Sequence, residues 1–101
     1  MDKILSFLGL GKRAGYVVTG ETAVENAVRA GKAHLVVISG DASGNTTKKF
    51  TDKCAYYHVP LRVYATKAEL GACTGAEARS CLAVTDRQFA DALSKRMEQE
   101  A

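Results

Sequence analysis

The chain has 101 residues, 47% hydrophobic and 25% charged, with a net charge of +3. That is the make-up of one ordinary globular domain spanning 1–101, with room for a real core and none for a second domain. No apolar run approaches the ~20 residues that a membrane span needs. Ile4 to Leu10 is apolar, but Lys12 and Arg13 follow it and no small-residue cleavage site does, so it does not read as a signal peptide. Cys54, Cys73 and Cys81 are odd in number and lack CxxC spacing, which suits buried thiols in a reducing cytoplasm.

In chain order, Asp2 to Lys12 reads as a first helix, capped by Asp2, with Ile4, Leu5 and Leu8 at helical spacing. Gly9 and Gly11 weaken its last turn and Gly15 ends it. Tyr16 to Thr19 reads as a strand by its β-branched and aromatic content. A second helix runs from Glu21 to Ala30, burying Val24, Ala27 and Val28, with Gly31 after its end. Leu35 to Ile38 is apolar without alternation, as a central strand covered on both faces would be.

A polar loop, Gly40 to Asn45, leads to a third helix over Thr46 to Tyr57. Phe50, Cys54 and Tyr57 line one side of it, and Lys48, Lys49, Asp52 and Lys53 face water. Pro60 stops that helix, and Leu61 to Tyr64 alternates as a half-buried strand. A short fourth helix over Lys67 to Cys73 ends at Thr74-Gly75. Ser80 to Val84 forms the last strand, and a final helix from Asp86 carries Phe89, Leu93 and Met97 four residues apart. Its tail, Glu98 to Ala101, is expected to fray. Helix and strand alternate throughout, which points to a three-layer α/β/α sandwich around a small, mostly four-stranded mixed sheet.

Charge is unevenly spread. Residues 1–53 carry eight basic and five acidic side chains, residues 54–101 six of each. The excess therefore lies in the half containing Gly11 to Thr22. Gly20 precedes a helix start, where unpaired N–H groups and the positive end of the dipole make an anion site. Lys12 and Arg13 stand one short strand away, close enough to add charge to the same edge. With Glu21 and Thr22 they form the best candidate for holding a nucleic-acid backbone, against the plainer reading of glycine turns on a solvated edge.

Other motifs carry less. Gly9-x-Gly11-x-x-Ala14 matches a dinucleotide fingerprint in letters, but no strand precedes it and no helix runs on through it. Gly31-Lys32-Ala33 lacks the rest of a P-loop. Asp41 follows the central strand, yet no partner carboxylates stand ready to hold magnesium, so it reads as a loop or capping residue. His34 and His58 have no metal-ligand partner at helical spacing. Nothing points to an enzyme, a metal or a cofactor.

The pattern Arg13-Ala14-Gly15-x-Val17-x-x-Gly20, then Ala27-Val28-x-x-Gly31-Lys32-Ala33-x-Leu35-Val36-Val37-Ile38-x-x-Asp41, resembles the kink-turn RNA-binding ribosomal proteins (the L-seven-Ae/L-thirty-e superfamily). Val59-Pro60, Glu69-Leu70-Gly71 and Ala83-Val84-x-Asp86 match as well, so the resemblance spans nearly the whole chain. Gly44 to Cys54 looks like the bacterial YlxQ-type branch, encoded among transcription and translation factors. The resemblance implies RNA contact through the start of the second helix (Gly20 to Asn26), the loop at Gly40-Asp41, and the loop from Gly75 to Arg79.

Family members that bind kink-turns carry an Asn-Glu pair and a Lys on that helix. The corresponding places here hold Thr22, Ala23 and Asn26. Ala23 has no group to read a base edge and Asn26 no charge, which leaves backbone N–H groups, Lys12, Arg13 and Lys32 for phosphate contact. The expectation is a monomeric, cytoplasmic, non-catalytic RNA-binding protein whose partner is a structured RNA, ribosomal or otherwise kinked, acting with the ribosome or translation factors. The alternative is a protein-interaction module of the same fold that has lost RNA readout.

Overall fold

A computed structural model describes residues 2–100. Helices and strands alternate through them: α1 (Lys3–Arg13), β1 (Val17–Thr19), α2 (Glu21–Arg29), β2 (Leu35–Ile38), α3 (Gly44–Tyr57), β3 (Leu61–Val63), α4 (Lys67–Cys73), β4 (Cys81–Val84) and α5 (Arg87–Glu100). The strands form one mixed sheet in the order β1-β4-β2-β3. β4 is antiparallel to both β1 and β2, and β2 is parallel to β3.

The sheet divides two cores. Leu35 and Val37 of β2 join Leu82 and Val84 of β4 on one face, under Ile4, Leu8, Leu70 and Leu93 of α1, α4 and α5. Val36, Ile38, Cys81 and Ala83 pack the other face under Val24, Val28, Phe50 and Cys54 of α2 and α3. Successive strand residues point to opposite faces, so a strand covered on both must be apolar at every position. That is the reason for the unbroken run at Leu35 to Ile38.

Local signals place the helix ends. The Asp2 carboxylate accepts the Ile4 and Leu5 amides at 2.6 and 3.2 Å and also the Tyr64 hydroxyl, which ties the start of α1 to β3. Gly31, at φ +74°, closes α2: its N–H donates to Val28 and that of Lys32 to Ala27, a left-handed cap that glycine adopts without strain. Thr66 and Glu69 form a reciprocal capping box on α4.

Five expectations need correction. α3 starts at Gly44, not Thr46, because Ser43 caps it by accepting the Thr46 amide at 3.2 Å. Lys49 and Lys53 do not simply face water; both reach the Glu25 carboxylate on α2 at 3.2 Å. The last turn of α5 is helical through Glu100, held by buried Met97 and by Glu98 pairing with Arg62 at 3.3 Å; Ala101 of the expected frayed tail lies outside the described residues. β3 alternates in sequence but not in burial, since Val63 is 61% exposed on an edge strand. Gly9 and Gly11, expected to weaken the last turn of α1, leave it helical through Arg13. They let its neighbours close in: a Cβ on Gly11 would stand 2.4 Å from Phe89 Cζ, and one on Gly9 3.0 Å from the Cys73 carbonyl oxygen.

Gly71 shows the same constraint against backbone. A Cβ there would meet the N and Cα of Ala78 at 2.7 Å, in the loop that returns over α4 to Arg79. Gly71→Ala should therefore lose stability by about 1–3 kcal/mol, despite alanine's roughly 1 kcal/mol advantage inside a helix. Urea unfolding measures this, and an unchanged or higher midpoint would contradict the packing described.

Candidate nucleic-acid interface

The antiparallel insertion of β4 brings the C-terminal ends of β1, β2 and β3 to the same end of the sheet as the N-terminal end of β4. There the Gly20 amide donates to Cys81, Ser39 to Ser80, and Gly40 to Ala65, at 3.2, 2.9 and 2.8 Å. Carboxyl ends of strands are where open α/β sheets bind ligands, because the following helices start there with free amides. Four helices begin at this end, and their termini differ; α1 is capped by Asp2, which also accepts from Tyr64 just past β3. Ser43 caps α3; Thr66 caps α4, whose first amide, Lys67, is also taken by Asp41 Oδ1 at 2.8 Å. Among the described residues no side chain caps α2, whose N-cap is Gly20.

Gly20 sits at φ +92° with ψ 153°, a backbone region that is essentially glycine's alone. This turn sends the chain from β1 directly into α2 and leaves the first amides facing outward. Thr22 and Asn26 are exposed one helical turn apart, so they share a stripe beside that terminus, while Ala23 is half-buried. Glu21 points the other way. Its carboxylate accepts the Thr46 hydroxyl at 3.3 Å and lies 3.5 Å from Lys49 Nζ. Glu25, one turn on, is held by Lys49, Lys53 and Arg29, each at 3.2 Å, and hydrogen bonds from Lys53 and Lys49 keep its pKa below the ordinary value.

Arg79 is held at the same end. Its Nε donates to Thr19 Oγ1 at 3.2 Å and its Nη1 to the Ala78 carbonyl at 3.0 Å, while its amide donates to Lys67 at 3.0 Å. Gly40 and Asp41 are exposed in the loop after β2. Gly75 is set back from them. It follows the far end of α4, a helix of seven residues or roughly 10 Å that starts at Lys67.

The remaining candidates do not join this edge. Lys12 and Arg13 are in the last turn of α1, ahead of β1, and Lys32 is ahead of β2, so all three lie at the opposite end of the sheet. Counting residues along the chain brought Arg13 within one strand of Gly20. A strand does not fold its ends together, however, and β1 separates them. What the sequence reading missed is the contribution of α3. Thr46 and Lys49 engage Glu21 across 25 and 28 positions, and the parallel packing of α2 and α3 that joins them has no local signature.

Burial raises the pKa of all three thiols, that of Cys81 to about 11, which keeps them protonated and poorly nucleophilic. Among the described residues no three His, Cys, Asp or Glu side chains gather as metal ligands, and no helix is long and apolar enough to cross a membrane.

The model of the ribosomal protein L7Ae/L30e/S12e/Gadd45 family matches residues 2–94. The chain belongs to this family. Members similar to it include the RNA-binding protein YlxQ of Bacillus subtilis, 50% identical over 86 residues that make up 85% of this chain and 86% of that one. YlxQ of Enterococcus faecium is 37% identical over 89 residues, 88% and 85% of the two chains. A Bacillus halodurans protein described as of unknown function superposes with a TM-score of 0.92 at 38% identity, covering 97% of this chain and 99% of its own. The Giardia lamblia 15.5kD RNA binding protein shares the fold at a TM-score of 0.81 and 17% identity, over 100% and 92%. The resemblance read from the glycine and valine pattern is thus confirmed as family membership, and the sandwich it implied is the fold observed.

Asp41 allows a check on the geometry of this L7Ae-family edge. The Lys67 amide lowers its carboxyl pKa. A depressed folded pKa stabilises the protein above the unfolded value, about 4, and that contribution fades as pH falls through the folded value. The melting temperature should fall between about pH 5 and pH 2, and less steeply in Asp41→Asn. Equal slopes in the two proteins would mean that Asp41 does not cap α4.

Proposed function

We propose that this chain is a non-catalytic RNA-binding protein, a single domain acting as a monomer in the cytoplasm with the translation machinery, and that it grips a structured, kinked RNA at the Gly20–Gly40–Arg79 end of the sheet. One observation carries the reading: the uncapped start of α2, the exposed Gly40-Asp41 loop and the guanidinium of Arg79 converge there. Two relatives in the family are named RNA-binding proteins. The chemistry suits a phosphate backbone, since backbone amides and a fixed guanidinium both donate to phosphate oxygens. RNA is commonly recognised in this way, by bends and loops rather than along a duplex groove.

Thr22 and Asn26 flank the terminus with short polar side chains where binders of standard kink-turns carry an asparagine and a lysine, and Ala23 stands in the place of their acid. Thr22 and Asn26 can each donate to a base edge or a 2′-hydroxyl, but neither adds charge. Recognition here leans on RNA shape, with less base discrimination than those binders have. Glu21, turned toward α3, does not contact RNA. Lys12, Arg13 and Lys32 lie outside the grip.

The test is affinity for a kink-turn RNA and for an unkinked duplex at two salt concentrations, in the native protein, in Arg79→Ala, and in Lys12→Ala combined with Arg13→Ala. Preference for the kinked RNA is expected. Arg79→Ala should weaken binding and reduce the salt slope by about one, while the α1 double variant keeps both affinity and slope. The opposite pattern, with the α1 variant weakened and Arg79→Ala unchanged, would move the grip to the other end of the sheet. Absence of binding to either RNA would favour a protein-interaction role instead.

A further inference from the structure

An acidic residue at the first position of a helix is an odd neighbour for a phosphate-binding terminus. The dipole that attracts phosphate attracts a carboxylate too, and a nearby side chain competes for the same amides. Glu21 occupies that position in α2. Both of its carboxylate oxygens are nevertheless engaged elsewhere: Oε1 lies 3.5 Å from Lys49 Nζ, and Oε2 accepts the Thr46 hydroxyl at 3.3 Å. Thr46 is buried and is oriented in turn by Ser43, whose hydroxyl donates to it at 3.0 Å.

We propose that Lys49 is a positioning residue of the RNA-binding edge, holding the Glu21 carboxylate against α3 so that the first amides of α2 stay open to an incoming phosphate. The proposal rests on the function argued above and assigns to α3 a part in it.

The arrangement around Lys49 favours this role over a simple surface pair. α2 and α3 run in parallel, so Glu21 faces Thr46 and Lys49, and Glu25 faces Lys49 and Lys53. Glu25 already has Lys53 and Arg29. Lys49 is therefore the cation whose loss would strand Glu21, while Glu25 would keep two partners. With its ammonium between two carboxylates, Lys49 is itself held in the charged form, its pKa raised chiefly by Glu25. Thr46 alone offers Glu21 a neutral hydroxyl, the weaker kind of partner for a carboxylate. Without Lys49, the Glu21 side chain can swing over the terminus that it now leaves clear.

Four proteins test this: native, Lys49→Ala, Glu21→Gln, and the two changes combined. Affinity for a kink-turn RNA is measured at low salt, and the amide shifts of Glu21, Thr22 and Ala23 are followed by NMR without RNA. Lys49→Ala should bind about two- to fivefold more weakly, the scale of one charge at a helix end, and should move those three amides. Adding Glu21→Gln should restore affinity, by at least twice the factor it gains in the native protein. If Lys49 acted only as a positive charge near RNA, the two changes would combine additively, and the proposal fails. It also fails if the three amides do not move. Lys49→Arg, which keeps the charge and the reach, should bind like the native protein; if it behaves like Lys49→Ala, the effect is general disruption of the α2–α3 contact and the proposal fails. A native protein that binds no RNA would overturn the function, whereas the amide shifts still report where Glu21 sits.

Discussion

β4 is the last strand in the sequence, yet it lies inside the sheet, hydrogen-bonded to β1 on one side and β2 on the other. All four of its residues are fully buried. Leu82 and Val84 point under α1 and α5, and Cys81 and Ala83 under α2. A slip of one residue would drive the two larger side chains into the space where small ones let α2 approach, and would turn the small ones toward α1. Burying each large aliphatic side chain is worth roughly 1.5–3 kcal/mol, so the register is strongly specified. Because β4 runs against both neighbours, its N-terminal end meets their C-terminal ends. That juxtaposition gathers the Gly20, Gly40 and Arg79 segments at one end from places far apart in the chain.

The same geometry sorts the charges. Lys12, Arg13 and Lys32 precede strands and are carried to the other end; Arg79 precedes β4, which runs the opposite way, and so arrives with the loops that follow β1 and β2. At the gathered end, three of the four helix starts are closed by capping side chains and that of α2 is left open. The acidic residues nearest that open start are drawn onto α3 by Lys49 and Lys53. If RNA is held there as proposed, this division of labour matters more than net charge, which is modest.

Much of this was legible in the sequence. The unbroken run Leu35 to Ile38 announces a strand covered on both faces, and the glycine after α2 announces the end of that helix, because each signal is local. The fold followed from alternation and from the family pattern. Boundaries that depend on a single side-chain bond were less accessible, as with Ser43 capping α3 two residues early. What sequence order misjudged was end-to-end placement. Gly20 and Arg13 are seven positions apart and lie at opposite ends of β1, while Thr19 and Arg79 are sixty apart and share a 3.2 Å hydrogen bond. Proximity along a strand is separation in space, and only the sheet order reveals which distant loops meet. Lys49 was hidden for a related reason: its partners lie on α2, and a lysine on a polar helix face looks like any solvated one.

The central claim is that RNA is held at the end of the sheet where β1 and β2 finish. Mapping the amides of the intact protein by NMR as a kink-turn RNA is added tests this most directly. The largest shifts should fall at Gly20, Glu21 and Thr22, at Gly40 and Asp41, and at Arg79, with Lys12, Arg13 and Lys32 left near their free positions. Shifts concentrated at Lys12, Arg13 and Lys32, with the Gly20 terminus unmoved, would contradict it.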